Sequence, residues 1–293
     1  SDGQPKDADW AAAISKIPAG DLRQLARRMA KQKTMISVSW SLQRAQHGEQ
    51  PFWMAAVLAA LLGEIGLPGR GIAFGFNATH NYGSNRRPAV RWPSVDSGKN
   101  EVETFIPVSR IADMLLNPGQ PFNFNGRQLQ FPDIKMVLWA GGNPFHHHQD
   151  LNRLVEAWRR PETIVVIDPW WTATARHADI VLPATTALER NDINFNAEAT
   201  ITPMRQAVSP YQSARNDVDI FADLAARFGL REAFTERRDE MTWLRHFYES
   251  AMRTAAESGI DLPDFESFWL GEQLLVEGEY KPTLLNRFRD DPA

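Results

Sequence analysis

The sequence predicts an α/β protein built on a parallel, doubly wound sheet with added helices. Three observations carry that prediction. Residues 136–140 (MVLWA), 163–167 (TIVVI) and 180–182 (IVL) are short apolar or β-branched runs, each closed by turn or polar residues. Between the first two, Leu151, Leu154, Val155 and Trp158 fall at i, i+3, i+4 and i+7, the spacing of a helix with one buried face. The first run stops at Gly141-Gly142-Asn143-Pro144 and the helix is followed by Pro161, so strand, helix, strand and strand read as a βαβ unit of a parallel sheet.

The other elements follow in order. Residues 9–16 and 21–32 read as two helices joined at Ile17-Pro18-Ala19-Gly20, the second with Leu22, Leu25, Ala26 and Met29 on one face. Residues 34–39 suit a strand, and Trp40 opens a polar loop, WSLQRAQHGEQP. The helix expected at 51–65 is apolar nearly all round, which predicts burial between layers, and Gly66-Leu67-Pro68-Gly69-Arg70-Gly71 ends it. Residues 75–103 are rich in Gly, Asn, Ser, Arg and Pro without periodicity; such stretches in compact domains are usually functional or mobile. A short helix at 109–116, a hairpin at 122–129, a strand at 200–202 and helices at 217–228 and 241–252 complete the reading, with a charged tail from 284 expected to fray. The predicted division is 1–105, the closing part of one α/β domain; 106–232, a nucleotide-binding α/β domain; and 233–293, a helical extension.

In open α/β sheets ligands bind outside the carboxyl ends of the strands. Those loops are polar here. The first offers glycine backbone, Asn143 and histidines; the second begins at Asp168, 26 residues after Gly142; the third leads into Glu189-Arg190-Asn191-Asp192. An acid at the tip of the second strand suits a hydroxyl or donor edge of a nucleotide, which makes a nucleotide-bearing ligand the first expectation. Gly141-Gly142-Asn143-Pro144 is not G-x-G-x-x-G, which disfavours ordinary NAD chemistry.

Composition narrows the class. In 293 residues, 43% are hydrophobic, with 10 Trp and 16 Phe, enough for a substantial core in one large domain or two. The formal net charge of -4 and the lack of a polybasic run argue against nucleic acid. With no cysteine, the chain holds no thiolate metal site or iron–sulfur ligand. The apolar run at 52–62 is too short to span a bilayer. The opening SDGQPKDADW carries no secretory signal, and a start this abrupt equally suits an excised piece.

Three segments carry a family resemblance: WSLQRAQHGEQ at 40–50, WAGGNPFHHHQDLNRL at 139–154 and TARHADIVLPATTALERNDI at 174–193. In that order they resemble the molybdopterin oxidoreductases of the dimethyl sulfoxide reductase superfamily, above all the trimethylamine-N-oxide, dimethyl sulfoxide and biotin sulfoxide reductases. The resemblance implies a molybdenum cofactor, bis(molybdopterin guanine dinucleotide), and reduction of a small S-oxide or N-oxide by oxygen-atom transfer. It also implies cofactor contacts: Trp40, Ser41 and Arg44 at one pterin-pyrophosphate arm, Asn143 and His147 after the first strand, Ile167 and Asp168 at the tip of the second, Arg190 after the third, and Asp217 at a later helix. The metal-ligating serine and a C-terminal domain of that subgroup lie outside the matched residues, so an interior segment is expected. Its partners would be the remaining domains of the parent chain, with no catalytic or metal-ligating residue here. The electron donor is left open. The His146–His148 run and the missing export signal lean towards the cytoplasmic biotin sulfoxide reductase type over a periplasmic protein.

Plainer readings compete. Adjacent histidines on a turn cannot all face one ion, so His146, His147 and His148 suit a cofactor loop better than a metal site. His177 reads as a packing residue, and Trp170 and Trp171 suit a stacking platform or a core or interdomain contact. Asp168 could cap a turn, Arg44 and Arg190 could form surface ion pairs, and Asp217 could only start its helix. On those terms the chain would be a nucleotide-binding or structural α/β module without a redox role.

Overall fold

The computed structural model describes residues 3–74, 90–195, 200–276 and 285–290. Two compact units emerge, one formed by 1–89, 196–199 and 276–293, the other by 90–195 and 200–275. The division interleaves along the chain, since the second unit is inserted between parts of the first.

In the first unit, α1 (Ala8–Ser15) begins under Asp7, whose carboxylate accepts from the backbone of Asp9 and Trp10. It is followed by α2 (Ala19–Lys31), β1 (Met35–Val38), a 3₁₀ turn (Trp40–Gln43), α3 (Gln50–Leu61) and β2 (Gly71–Phe74). β1 and β2 pair in parallel, with Met35 opposite Gly71 and Val38 opposite Phe74, and α3 packs on both strands. Expected burial of α3 between layers is not what the structure shows. Ala55 and Ala59 face the strands and are buried, whereas Trp53, Met54 and Leu61, the last 80% exposed, find no covering layer among the described residues. An all-apolar helix shows that two faces want burial; it cannot show that the chain supplies both partners.

The second unit opens with irregular backbone from 90 to 107; residues 75–89 of the expected irregular stretch lie outside the described residues. Then come α4 (Ile111–Leu116) and the antiparallel hairpin β3 (Pro121–Phe124) and β4 (Arg127–Gln130), turning through Asn125 and Gly126, both at positive φ. The central unit matches the expected order: β5 (Met136–Ala140), a short α5 (Pro144–His147), α6 (Leu151–Trp158), β6 (Thr163–Asp168), a 3₁₀ turn (Ala175–His177) and β7 (Ile180–Pro183). The three strands form a parallel sheet in the order β5-β6-β7, with Ala140 opposite Ile167 and Asp168 opposite Pro183.

Leu154, Ala157 and Trp158 of α6 and Leu115 of α4 pack with Ile164 and Val166 into one core, flanked by Val137, Trp139 and Val181 on the same sheet face. β6 is buried along nearly its whole length, as a central parallel strand should be. β5 departs from the burial expected of it: as an edge strand it buries one face only, and Met136 is 56% exposed on the other.

Beyond β7, the chain forms β8 (Asp192–Phe195) and β9 (Thr200–Met204), then α7 (Asp217–Arg227), α8 (Arg231–Thr235), α9 (Glu240–Glu257), α10 (Phe265–Leu270) and β10 (Leu274–Leu275). β8, β9 and β10 make an antiparallel sheet. Tyr248 of α9 is fully buried, stacks on Phe268 at 4.2 Å and donates to the Pro263 carbonyl at 2.9 Å. Within the tail expected to fray, residues Arg287–Asp290 form a helical turn, α11, in the first unit.

Candidate functional site

Because β5, β6 and β7 are parallel and neighbouring, their carboxyl ends lie along one edge, with strands about 5 Å apart. The loops leaving that edge carry Asn143 and His147, Asp168, and Arg190. α7 begins beside the same edge. Arg215, two residues before α7, bridges Ala184: its N–H donates to the Pro183 carbonyl (3.1 Å) and its carbonyl accepts from Thr185 (3.0 Å). The amino end of α7, with Asn216 and Asp217, is therefore held against the exit of β7.

The loop after β5 turns through Gly141 and Gly142 at φ of 69° and 74°. Two successive left-handed residues explain the glycine pair, since a Cβ would strain both positions. The Gly141 N–H donates to the Ile167 carbonyl at 3.2 Å. The Asn143 amide oxygen accepts from the Thr174 hydroxyl (2.7 Å) and backbone N–H (3.3 Å), and the same hydroxyl accepts from the Phe145 N–H at 3.4 Å. With its oxygen engaged, Asn143 has Nδ2 as its means of donating to a ligand. Thr174, fully buried, thus orients a residue 31 positions upstream.

His146 and His147 are exposed. Burial pushes the His148 imidazole below its ordinary pKa, aided by His147 nearby. His177 stacks on Phe145 at 4.1 Å and its Nδ1 lies 2.7 Å from the Ala173 carbonyl, so it packs this loop. Among the described residues no three His, Cys, Asp or Glu side chains cluster as a metal site.

Asp168 is only 7% exposed. One carboxylate oxygen accepts from the Trp170 N–H (2.8 Å), the other from the Thr172 hydroxyl (3.4 Å), which makes it the acid of its own turn. The Ile167 side chain is buried in the sheet. Trp170 and Trp171 stand 67% and 69% exposed just past this turn, so neither is a core residue of the chain as described.

Around the exit of β7 an open pocket of about 210 Å³ is lined by Thr185, Arg190, Arg215, Asn216, Asp219 and Glu240, among others. Arg190 donates to the Thr185 carbonyl at 3.1 Å and lies 3.5 Å from Asp192. The loop carrying it is pinned by Glu189. One Glu189 oxygen accepts from the Thr186 N–H (2.7 Å) and hydroxyl (2.9 Å), the other from the Tyr211 N–H (2.7 Å). These bonds, those from Thr186 first, hold its carboxyl below the usual carboxylate range.

In the first unit, Trp40, Ser41 and Arg44 lie on the loop after the carboxyl end of β1, again at the end of a parallel strand. The Ser39 hydroxyl caps this turn, 2.8 Å from the Ser41 hydroxyl, and the Arg44 N–H donates to the Ser41 carbonyl at 3.0 Å. Ser41 and Arg44 are exposed and Trp40 is half-buried.

The predicted residues thus fall into two groups, each at strand carboxyl ends, and the second is organised by Thr174, Glu189, Asn216 and Glu240, which sequence reasoning did not single out. Thr174, Asn216 and Glu240 leave little signal in sequence, since each bonds residues 24 or more positions away, whereas Thr186-x-x-Glu189 is a short-range pattern that could have been read.

Glycine, amide, arginine and a helix amino terminus thus gather at the carboxyl edge of a parallel α/β sheet, the place where such sheets take their ligands. Residues 9–227 match the family Molybdopterin oxidoreductase. The chain belongs to that family. It is 49% identical over its whole length to a biotin sulfoxide reductase from Cereibacter sphaeroides, of which it spans 39%. It is 46% identical to a dimethyl sulfoxide/trimethylamine N-oxide reductase of the same organism and 42% identical to a trimethylamine-N-oxide reductase of Haemophilus influenzae, spanning 37% and 38% of them. The chain therefore spans under two fifths of the length of these relatives. The recognition made from the three segments and the α/β fold class both hold, and the family brings a molybdenum–pterin cofactor.

Proposed function

We propose that this chain is the part of an S-oxide or N-oxide reductase that holds one guanine dinucleotide arm of a bis(molybdopterin guanine dinucleotide) molybdenum cofactor. The observation that carries the reading is the pocket at the exit of β7, where Arg190 and Arg215 stand with Asp219, Glu240 and the start of α7. The donor set fits the group: guanidinium and helix amino terminus suit a pyrophosphate, while carboxylates suit the N1 and N2 donors of guanine.

In this reading Arg190 meets the phosphates, Asn143 Nδ2 and the exposed His147 donate to the same arm, and Asp168 and the Ile167 backbone shape the turn beside it. Asp217 adds an acid at the start of α7. Trp40, Ser41 and Arg44 take a pterin-pyrophosphate portion. When bound, the cofactor supplies oxygen-atom acceptance and a two-electron redox change; this chain binds and orients it and contributes no metal ligand. Residues 106–232 are the nucleotide-arm region, and the helices between 233 and 270 support it. The relatives' names support S-oxides and N-oxides as the substrate class, with the other domains of the protein completing the enzyme. No helix among the described residues is long and apolar enough to cross a membrane.

The test uses the full-length protein with Arg190→Ala. Molybdenum content and turnover of a panel of S-oxides and N-oxides by reduced viologen should fall together, while the melting temperature holds. Unchanged molybdenum content and turnover would remove Arg190 and its pocket from the cofactor site.

A further inference from the structure

Glu240, the first residue of α9, sits where no sequence pattern points, yet both of its oxygens are committed. One accepts from Asn191 Nδ2 at 2.7 Å, the other from Asn216 Nδ2 at 2.5 Å. Asn191 follows Arg190, and Asn216 precedes Asp217. Each asparagine is fixed at its other end as well: the Asn191 oxygen accepts from the Gln206 N–H (3.0 Å) and the Asn216 oxygen from the Thr185 hydroxyl (2.6 Å). Asn216 stands at the N-cap position of α7 but makes no side-chain cap bond, because its amide is spent on this chain of contacts. Glu240 also lines the pocket.

We infer that Glu240 is a positioning residue: its carboxylate sets the spacing between the Arg190 loop and the start of α7, and so the width of the pocket that takes the guanine nucleotide arm. The inference rests on the cofactor reading above. The two carboxylate oxygens receive one amide each. A glutamine there turns its own NH₂ towards one of the two asparagines and removes the charge that strengthens both bonds, which leaves one wall of the pocket less firmly held.

The experiment measures GMP released by acid hydrolysis from the purified full-length protein, together with amide hydrogen exchange across 185–192 and 214–217. Glu240→Gln should retain ~10-fold less guanine nucleotide, the scale of losing one charge-assisted hydrogen bond, and should exchange faster in both segments. Adding Asn216→Asp to Glu240→Gln turns the facing donor into an acceptor for the glutamine NH₂ and should restore retention to within about twofold. Asn191→Ser, which cuts one arm and leaves Asn216 to the carboxylate, is a second reading should Glu240→Gln not fold, and should also lower retention. Full guanine content in Glu240→Gln and Asn191→Ser, or no recovery in the double variant, would overturn the inference. Arg190→Ala separates the two levels. If Arg190→Ala loses nucleotide while the Glu240 and Asn191 variants do not, the bridge alone is wrong; if Arg190→Ala keeps its nucleotide, the cofactor reading falls and the bridge with it.

Discussion

Asp168 carries a local duty of its own, apart from any ligand. Its carboxylate already serves the Trp170 N–H and the Thr172 hydroxyl, so removal must disturb the turn whatever else it does. Asp168→Asn keeps an acceptor for Trp170 but loses the charge and turns a donor towards the Thr172 hydroxyl, whereas Asp168→Ala loses both turn bonds, each worth about 0.5–1.5 kcal/mol. If the acid also contributes to the cofactor arm, Asp168→Asn in the full-length protein will lower guanine content with little change in melting temperature. Full guanine content in Asp168→Asn, with destabilisation confined to Asp168→Ala, would leave it a turn acid only. Glu189 makes a prediction in pH. Its pKa is depressed in the folded chain, so the stabilisation is complete at neutral pH and is lost as pH falls through the depressed folded value. Amide exchange at Thr186 and Tyr211, corrected for intrinsic rates, should rise on acidification below the usual carboxylate range and be already raised at neutral pH in Glu189→Gln. A flat acid response in the native chain would contradict the anchoring role.

Among the elements, one buried hydroxyl carries part of the link between the β5 loop and the β6–β7 connection. Thr174→Val keeps the shape of the side chain but leaves the Asn143 oxygen short of a donor and the Phe145 N–H without its acceptor. The expected cost is about 1–3 kcal/mol, read from urea denaturation. Unchanged stability would mean that water replaces the hydroxyl and that Asn143 is not held by Thr174. The elements also show what a sequence discloses. β5, β6 and β7 were legible because their runs are short and apolar or β-branched and because glycine and proline punctuate them. β8 was missed, although Ile193 and Phe195 alternate with polar neighbours, because four residues give too little pattern to stand out. The exposure of α3 was misread for a different reason: composition reports a wish for burial, while the partner is a matter of tertiary structure. At the site, Asn143, His147, Asp168 and Arg190 could be placed at strand ends from the sequence. Glu240 could not, since 49 residues separate it from Asn191.

For the molecule as a whole, two units each present loops at the carboxyl ends of parallel strands, in a chain that belongs to the molybdopterin oxidoreductase family. The central claim is that the edge formed by β5, β6 and β7 is built for a guanine nucleotide. Its sign is fixed by chemistry, since carboxylates accept from guanine N1–H and N2–H but meet an acceptor at N1 of adenine. The most direct measurement is a titration of GDP and ADP into the isotopically labelled chain, following amide shifts. GDP should move Gly142, Asn143, Arg190 and Asn191 at lower concentration than ADP does; equal responses, or shifts confined to residues away from that edge, would contradict it.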